Sequence, residues 1–268
     1  MAEKNLYYFV SDIHLGLNYK DPARRERKFS GFLRSLPAET KALFLLGDIF
    51  DFWYEYKNVI PRGFTRTLGA LAQLHDRGTE IYFFNGNHDI WTYGYFEREL
   101  GLVMKRQPYA VRLEGKWFCL GHGDGLGRGD RGYKFLKAVF NCRFLQVLFS
   151  GIHPRWAFGL AHAWSKHNRL AKGQQYAFRG EEEGIVRFSN EYQLCREADE
   201  KIDYFIFGHF HYKTRMPLKN GGELVLLGEW IHNFDYIVFD GENLVSRRYE
   251  AEEEPVAPEA VPEEGNRQ

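Results

Sequence analysis

The sequence predicts a mixed, layered α/β fold, and three observations lead to that prediction. Short apolar runs alternate with charged, amphipathic segments in the first part of the chain, which is typical of strand–helix–strand units. Shorter strand-like runs follow later, and turn pairs such as Glu114-Gly115 and Asp240-Gly241 indicate antiparallel pairing. Several apolar runs end in glycine followed by an acid, a histidine or an asparagine, which indicates a polar site at one edge of a sheet.

The first part of the chain supplies the alternating units. Strands are predicted at residues 6–10, 42–46 and 80–84, and helices at residues 21–36, 66–76 and 95–100. The first helix has Phe29, Phe32 and Leu33 at the spacing of one buried face. Gly78 is placed to end the second helix.

The later part is predicted to contain more strands than helices. A hairpin is expected from residues 110–113 and 116–120, then a helix at 191–200 and a strand at 204–207. Strands at 223–227, 236–239 and 244–249 are expected to close a sheet as a meander. Residues 251–268 consist mainly of Glu, Pro and Ala, so we expect a disordered acidic tail.

We therefore divide the chain into a core, residues 1–125 and 181–250, and an insertion, residues 126–180. The insertion contains ten Lys and Arg residues against a single acid, Asp130, and many bulky apolar residues at helical spacing. Breaks are expected near Ser150-Gly151 and at Pro154. One interpretation is a helical pair whose apolar face packs on the core. The other is a cap that binds an apolar, anionic ligand or rests on an anionic membrane surface.

Composition excludes several classes of protein. The formal net charge of +0 argues against a chain built to coat nucleic acid, and nothing indicates an obligate protein partner. The three cysteines are scattered, which favours a reducing compartment and excludes a zinc knuckle. The first apolar run is too short for a signal peptide, and no run reaches the roughly 18 residues of a membrane span. We expect a cytoplasmic protein.

The polar residues that follow the predicted strands are candidate metal ligands. A single histidine in such a place is often only a core or capping residue, but here the pattern recurs after several strands. Two cations about 3.5–4 Å apart can bind a phosphoryl group and activate water, and Asp48 is suited to bridge them. Mixed oxygen and imidazole donors favour Mn²⁺, with Fe or Zn²⁺ as alternatives. The seven candidate ligands are Asp12, His14, Asp48, Asn87, His122, His209 and His211.

These motifs, in this order, resemble those of the calcineurin-like metallophosphoesterases over roughly residues 6–249. The resemblance implies a four-layer αββα sandwich. It implies one metal ion held by Asp12, His14, Asp48 and His211, and a second held by Asp48, Asn87, His122 and His209. We expect His88 to donate a proton or hydrogen bond to the phosphoryl group, with Asp89 orienting its ring.

A narrower resemblance is carried by SDIHLG, LLGDIFDFW, HGDGLGRGD and LGEW. These segments are similar to the UDP-2,3-diacylglucosamine hydrolase family of lipid A synthesis, many members of which carry Arg where this chain has His88. The resemblance implies cleavage of a lipid-linked UDP-sugar to UMP and 2,3-diacylglucosamine 1-phosphate, by an enzyme peripheral to the cytoplasmic face of the inner membrane. It places substrate contacts at Asn87, Asp130, Ser165, Arg169, Lys172 and His209.

Two other functions remain open at this point. A phosphoesterase of soluble nucleotides would share the metal ligands, but it would need stacking aromatic residues rather than a broad aliphatic face. A scaffold without activity would keep the fold, but it would not require all seven ligands together with His88.

Overall fold

The computed structural model describes residues 4–127, 131–157, 159 and 178–250, and their strands form two mixed sheets. The strands are β1 (Leu6–Val10), β2 (Thr40–Leu46), β3 (Glu80–Phe84), β4 (Val103–Lys105), β5 (Tyr109–Leu113), β6 (Lys116–Gly121), β7 (Tyr204–Phe207), β8 (Thr214–Pro217), β9 (Glu223–Leu226), β10 (Asp235–Phe239) and β11 (Leu244–Arg248). The helices are α1 (Pro22–Ser35), α2 (Thr65–Asp76), α3 (Tyr95–Leu100), α4 (Arg131–Asn141), α5 (Arg143–Ser150) and α6 (Gly184–Leu194).

Strand order brings several parallel strand ends to the same edges. The first sheet has the order β11-β10-β1-β2-β3-β4, and β1 to β4 run parallel. The second has the order β5-β6-β7-β9-β8, with β6, β7 and β9 parallel. Within each sheet the loops that follow the parallel strands therefore leave at one edge, where open α/β sheets bind ligands.

The two sheets and the helices on their outer faces form four layers, with an apolar core between each pair of neighbouring layers. This arrangement confirms the predicted α/β sandwich. Between the sheets, Phe9 stacks on Phe44 at 5.0 Å and on Phe118 at 5.8 Å between ring centroids. A second core packs the first sheet against α1, α2 and α3, and a third packs the second sheet against α6. Alternate residues of β1 serve different cores, because Tyr8 and Val10 face the helices while Phe9 faces the other sheet.

Two predictions about the later elements are wrong. The helix expected at 191–200 lies at Gly184–Leu194, because its buried face includes Ile185 and Val186; only a 3-10 turn occurs at Ala198–Glu200. The expected three-strand meander does not form, because β9 pairs with β7 and β8 while β10 pairs with β1, although β10 and β11 do pair antiparallel as predicted. Leu224 and Val225 of β9 are buried on opposite faces of the second sheet, and their apolar pattern alone does not specify a sheet.

The boundaries of α1 follow from its sequence. The carboxylate of Asp21 accepts a hydrogen bond from the backbone N–H of Arg24 at 2.8 Å, and Pro22 occupies the first turn. Arg25 is buried and donates to the carbonyl oxygens of His14 and Tyr19 at 2.9 and 3.0 Å. The helix thus supports the loop that follows β1.

Candidate metal centre

The seven candidate ligands lie on loops that follow five strands of the two sheets. Asp12 and His14 follow β1, Asp48 follows β2, Asn87 follows β3, His122 follows β6, and His209 and His211 follow β7. Since the two sheets pack face to face, the loops meet at one rim of the sandwich.

Short distances connect these side chains in two groups. In the first, His14 Nε2 lies 3.2 Å from His211 Nε2, and His211 Nε2 lies 3.2 Å from Asp12 Oδ1. In the second, His122 Nε2 lies 3.3 Å from Asn87 Oδ1.

Asp48 lies between the two groups. Its Oδ2 atom is 3.8 Å from His14 Nε2 and 3.4 Å from His122 Nε2. The ring of His209 is 5.1 Å from that of His122. The side chains within each group are therefore close enough to share one ion, and Asp48 is close enough to serve both.

The backbone at the rim is held in an unusual conformation. Left-handed φ angles are rare for residues with a Cβ atom and cost about 1–3 kcal/mol each unless the surroundings enforce them. Gly208 allows a close approach here, because a Cβ atom at that position would lie 2.6 Å from Asp12 Oδ2. Five candidate ligands have such angles: Asp12 (55°), His14 (49°), Asp48 (53°), His209 (71°) and His211 (51°).

Contacts on the far side of two rings set their orientation. His122 Nδ1 lies 2.9 Å from the carbonyl oxygen of Leu46, and His14 Nδ1 lies 3.3 Å from Asp51 Oδ1. Both rings therefore direct Nε2 toward the centre. Histidines that bind metals are commonly oriented in this way, by a contact of the other ring nitrogen with a second residue. Sequence reasoning missed Asp51. Its signal is the second acid, three residues after Asp48, in the segment LLGDIFDFW.

The charges of the centre suit cation binding. Burial would raise the pKa of Asp12 and Asp48, but neighbouring histidines hold both below the ordinary value. Burial lowers the pKa of His14 and His209 to about 4, which favours the neutral imidazoles that bind metal ions. Burial opposes protonation of His122 too, yet the Asp48 carboxylate raises its pKa to about 10. The carboxylates thus attract positive charge strongly.

One buried oxygen supports the same interpretation. Asp12 Oδ1 is buried and, within the described part of the chain, accepts no hydrogen bond of good geometry, although His211 Nε2 lies 3.2 Å away. A buried carboxylate oxygen normally has a partner, and a cation can take that place. Imidazole nitrogens with carboxylate and amide oxygens form a donor set used by Mn, Fe and Zn, so these residues fit a divalent metal site.

His88 and Asp89 have different surroundings from those predicted. His88 Nδ1 lies 3.0 Å from the carbonyl oxygen of Asp51, and 22% of its side chain is exposed. The Asp89 carboxylate accepts backbone hydrogen bonds from Ile49 at 2.8 Å and Gly86 at 2.7 Å, with weaker ones from neighbouring residues. The prediction that Asp89 orients His88 is therefore wrong: Asp89 turns into the loop after β2, and Asp51 contacts the ring.

Replacing Asp89 by alanine is expected to lower stability rather than to remove a reacting group. Burial raises the pKa of Asp89 to about 7, but its oxygens still hold several backbone N–H groups. Leaving two or three of these groups unpaired should cost about 3 kcal/mol or more, a fall of roughly 6–12 °C in Tm. Asp240→Ala, which removes a similar acceptor from an exposed turn, is the control for thermal unfolding. If Asp89→Ala loses activity while its Tm is unchanged, this prediction is wrong and Asp89 has a catalytic role.

The described part of the insertion is helical, as predicted, and α5 ends at Ser150; a further break at Cys142 separates it from α4. α5 buries none of its residues, and Phe144 and Leu148 are 69% and 57% exposed. Among the described residues, α5 therefore packs on the core through Phe149, while Phe144 and Leu148 of the same helix stay exposed. Of the predicted substrate contacts, Asn87 and His209 lie at the centre. Asp130, Ser165, Arg169 and Lys172 lie outside the described residues, as does the tail at 251–268.

The fold and the centre match a known family. The chain belongs to the calcineurin-like phosphoesterases, whose pattern its residues 7–213 match, and it is a metal-dependent hydrolase of phosphoric esters. The predicted family is thus confirmed. In the described residues, none of the helices has the length and apolar character required to cross a membrane.

Three relatives share one name, UDP-2,3-diacylglucosamine hydrolase. The relative from Porphyromonas gingivalis is 38% identical over 89% of this chain and 95% of its own. The relative from Hamiltonella defensa is 30% identical over 76% of each chain. The relative from Neisseria gonorrhoeae is 28% identical over 89% of this chain and 95% of its own.

Proposed function

We propose that this chain cleaves the pyrophosphate of UDP-2,3-diacylglucosamine with water, releasing UMP and 2,3-diacylglucosamine 1-phosphate in lipid A synthesis. The name shared by the relatives supports this substrate. The observation that carries the proposal is the exposed apolar face of the insertion beside the metal centre. In our proposal residues 126–180 form a cap on a core made of residues 1–125 and 181–250.

The apolar face begins at the rim itself. Phe149 of α5 packs on Trp91 at 5.4 Å and on Tyr54 at 5.0 Å between ring centroids, and both partners lie on loops of the rim. On the exposed side, Phe144 and Leu148 face outward from the same helix. A substrate with two acyl chains can cover such a face, and each buried CH₂ contributes about 0.8 kcal/mol. A soluble nucleotide has no group that would do so.

Each residue of the centre then has a role. Asp12, His14, Asp48 and His211 would hold one divalent cation, and Asp48, Asn87, His122 and His209 the other, with Mn²⁺ as the proposed metal. Such cations bind phosphoryl oxygens and lower the pKa of water. Asp51 and the Leu46 carbonyl orient the rings of His14 and His122. Neutral imidazoles and an amide limit the negative charge, so that a pyrophosphate is not repelled.

His88 is the proposed proton donor. Because the Asp51 carbonyl oxygen accepts a hydrogen bond from Nδ1, Nε2 carries a proton only when the ring is an imidazolium, and that form is the proposed donor. A proton or hydrogen bond from Nε2 would neutralise charge on a phosphoryl oxygen or on the departing phosphate. Because the ring lies beside His14, at 4.8 Å between centroids, this donor is next to the metal centre.

The proposed location follows from the substrate. A diacylated sugar nucleotide stays in a membrane, so the enzyme must reach its surface. Exposed apolar side chains together with the basic residues of the insertion favour peripheral binding to an anionic surface. We place the protein in the cytoplasm, at the inner face of that membrane. Binding to anionic vesicles that weakens with salt would test this.

Shortening Leu148 or Phe144 to alanine should lower kcat/KM for a long-chain diacyl substrate by about tenfold or more. A chain-free UDP-sugar and a chromogenic phosphodiester should be hydrolysed as by the wild type. Leu194→Ala is the matched control, because Leu194 is 66% exposed but lies at the end of α6. Phe140→Ala should instead lower Tm, since Phe140 packs on Trp91.

Steady-state kinetics on substrates that differ only in acyl length decide between the functions. If the wild type hydrolyses long-chain and chain-free substrates equally well, the lipid-linked substrate is wrong. A phosphoesterase of soluble nucleotides is then the better assignment.

A further inference from the structure

Asp124 is a buried acid in the motif that also supplies His122, and the roles described above do not use it. It is 1% exposed, two residues beyond His122. Gln107 Nε2 lies 2.6 Å from its Oδ1 atom. Tyr133 Oη and Lys137 Nζ lie 2.6 and 2.5 Å from its Oδ2 atom. Tyr133 and Lys137 are one turn apart on α4, so the insertion is attached directly to the loop after β6.

The same helix is attached to a second loop at its other end. Trp91 Nε1 donates a hydrogen bond to the carbonyl oxygen of Phe140, at 3.0 Å, near the last turn of α4. Trp91 follows the motif that supplies Asn87 and His88. α4 therefore connects two loops that carry candidate ligands, the loop of His122 and the loop of Asn87.

We propose that Asp124, Lys137 and Trp91 are positioning residues that hold α4 across the rim and thereby set specificity for the lipid-linked substrate. This inference rests on the proposed function. None of the three needs to touch the reacting phosphate. They fix where the apolar face of the insertion stands relative to the metal centre, and a displacement of about 1 Å in such a support is enough to reduce turnover.

The charges support positioning over direct binding of substrate. A buried carboxylate is stable only when it is paired and hydrogen-bonded, and the Lys137 ammonium pairs with Asp124 while its side chain is 30% exposed. The ammonium is thereby engaged inside the protein. Lys134, one turn earlier on α4, donates to the backbone carbonyl oxygen of Gly127 and offers a control of equal charge.

Lys137→Met should lower kcat/KM for the diacyl UDP-sugar by roughly 10- to 100-fold, the equivalent of one charge-assisted hydrogen bond, mainly through KM. Hydrolysis of bis(p-nitrophenyl) phosphate, which has no acyl chain, should be unchanged. Lys137→Arg should recover most of the loss, because a guanidinium can still reach the carboxylate. Lys134→Met should behave as the wild type with both substrates.

Hydrogen exchange tests the attachment without any substrate. The backbone amides of α4 should exchange faster in Lys137→Met than in the wild type or Lys134→Met. Trp91→Phe, which keeps a ring against Phe149 but loses the donor to Phe140, should have the same effect near the end of α4. Thermal unfolding of each variant shows whether the rest of the fold is retained.

The outcomes separate this inference from the proposed function. Unchanged exchange in both variants overturns the positioning role, whatever the substrate. Equal losses with both substrates also overturn it, because they would place Lys137 in the catalytic machinery. If exchange increases as expected but the wild type does not cleave the diacyl UDP-sugar, the attachment of α4 stands and the proposed substrate is wrong.

Discussion

Replacing Asp48 by alanine is expected to abolish hydrolysis and to lower metal content at both positions of the centre. Asp48 Oδ2 lies within 4 Å of a histidine nitrogen in each group, 3.8 Å from His14 Nε2 and 3.4 Å from His122 Nε2. A carboxylate shared by two cations cannot be replaced by any one neighbour. Elemental analysis of the purified variant, together with activity, measures both effects.

Two variants control this experiment. Asp48→Asn keeps the acceptor for the His88 N–H, at 2.9 Å, and asparagine tolerates the φ angle of 53°. Any loss of metal from Asp48→Asn is therefore due to the missing negative charge and not to a change in the loop. His14→Ala should chiefly empty one position. Two full equivalents of metal in Asp48→Ala would show that Asp48 does not bridge the ions.

Replacing His88 by alanine should leave the metals bound and reduce kcat by roughly 10²–10⁴-fold, the range for a positioned acid–base group. The ring touches the Asp51 carbonyl through Nδ1, and its side chain is 22% exposed beside the ligands. His88 lies outside the two groups of candidate ligands described above, although it is close enough to His14 and Asp51 to form a cluster with them. Activity with matched elemental analysis is the measurement.

His88→Gln is the matched variant for this prediction. Glutamine keeps a hydrogen-bond donor of similar reach but cannot transfer a proton. A large loss in both variants supports proton donation, whereas near wild-type activity in His88→Gln limits the role to a hydrogen bond. Loss of metal in proportion to activity in His88→Ala would contradict the assignment and make His88 a ligand.

Local pattern was sufficient for most of the fold. β1, β3 and α3 begin and end where the sequence predicts, because run length, a following glycine and the capping residue are properties of neighbouring residues. The short strands β4 and β8 were missed. Their three and four residues are mostly half-exposed or exposed, so they carry no strong apolar pattern.

The partner of each side chain was harder to predict. Asp89 was expected to contact its neighbour His88, yet it accepts hydrogen bonds from the backbone N–H of Gly86 and from N–H groups about 40 residues away. Asp51 was missed although it contacts both His14 and His88. Asp124 was noticed only as part of a repeated pattern, and its contact with Lys137 depends on where α4 is placed.

By itself the sequence determined the α/β class, the family and the seven candidate ligands, since these depend on which residue types follow each strand. Only the tertiary structure decided which sheet β9 joins, which side chains orient the histidines and how α4 is attached to the rim. Those contacts join distant segments through left-handed backbone angles and close packing, such as the φ of 53° at Asp48. No local pattern encodes them, because each is stable only when the surrounding fold enforces it.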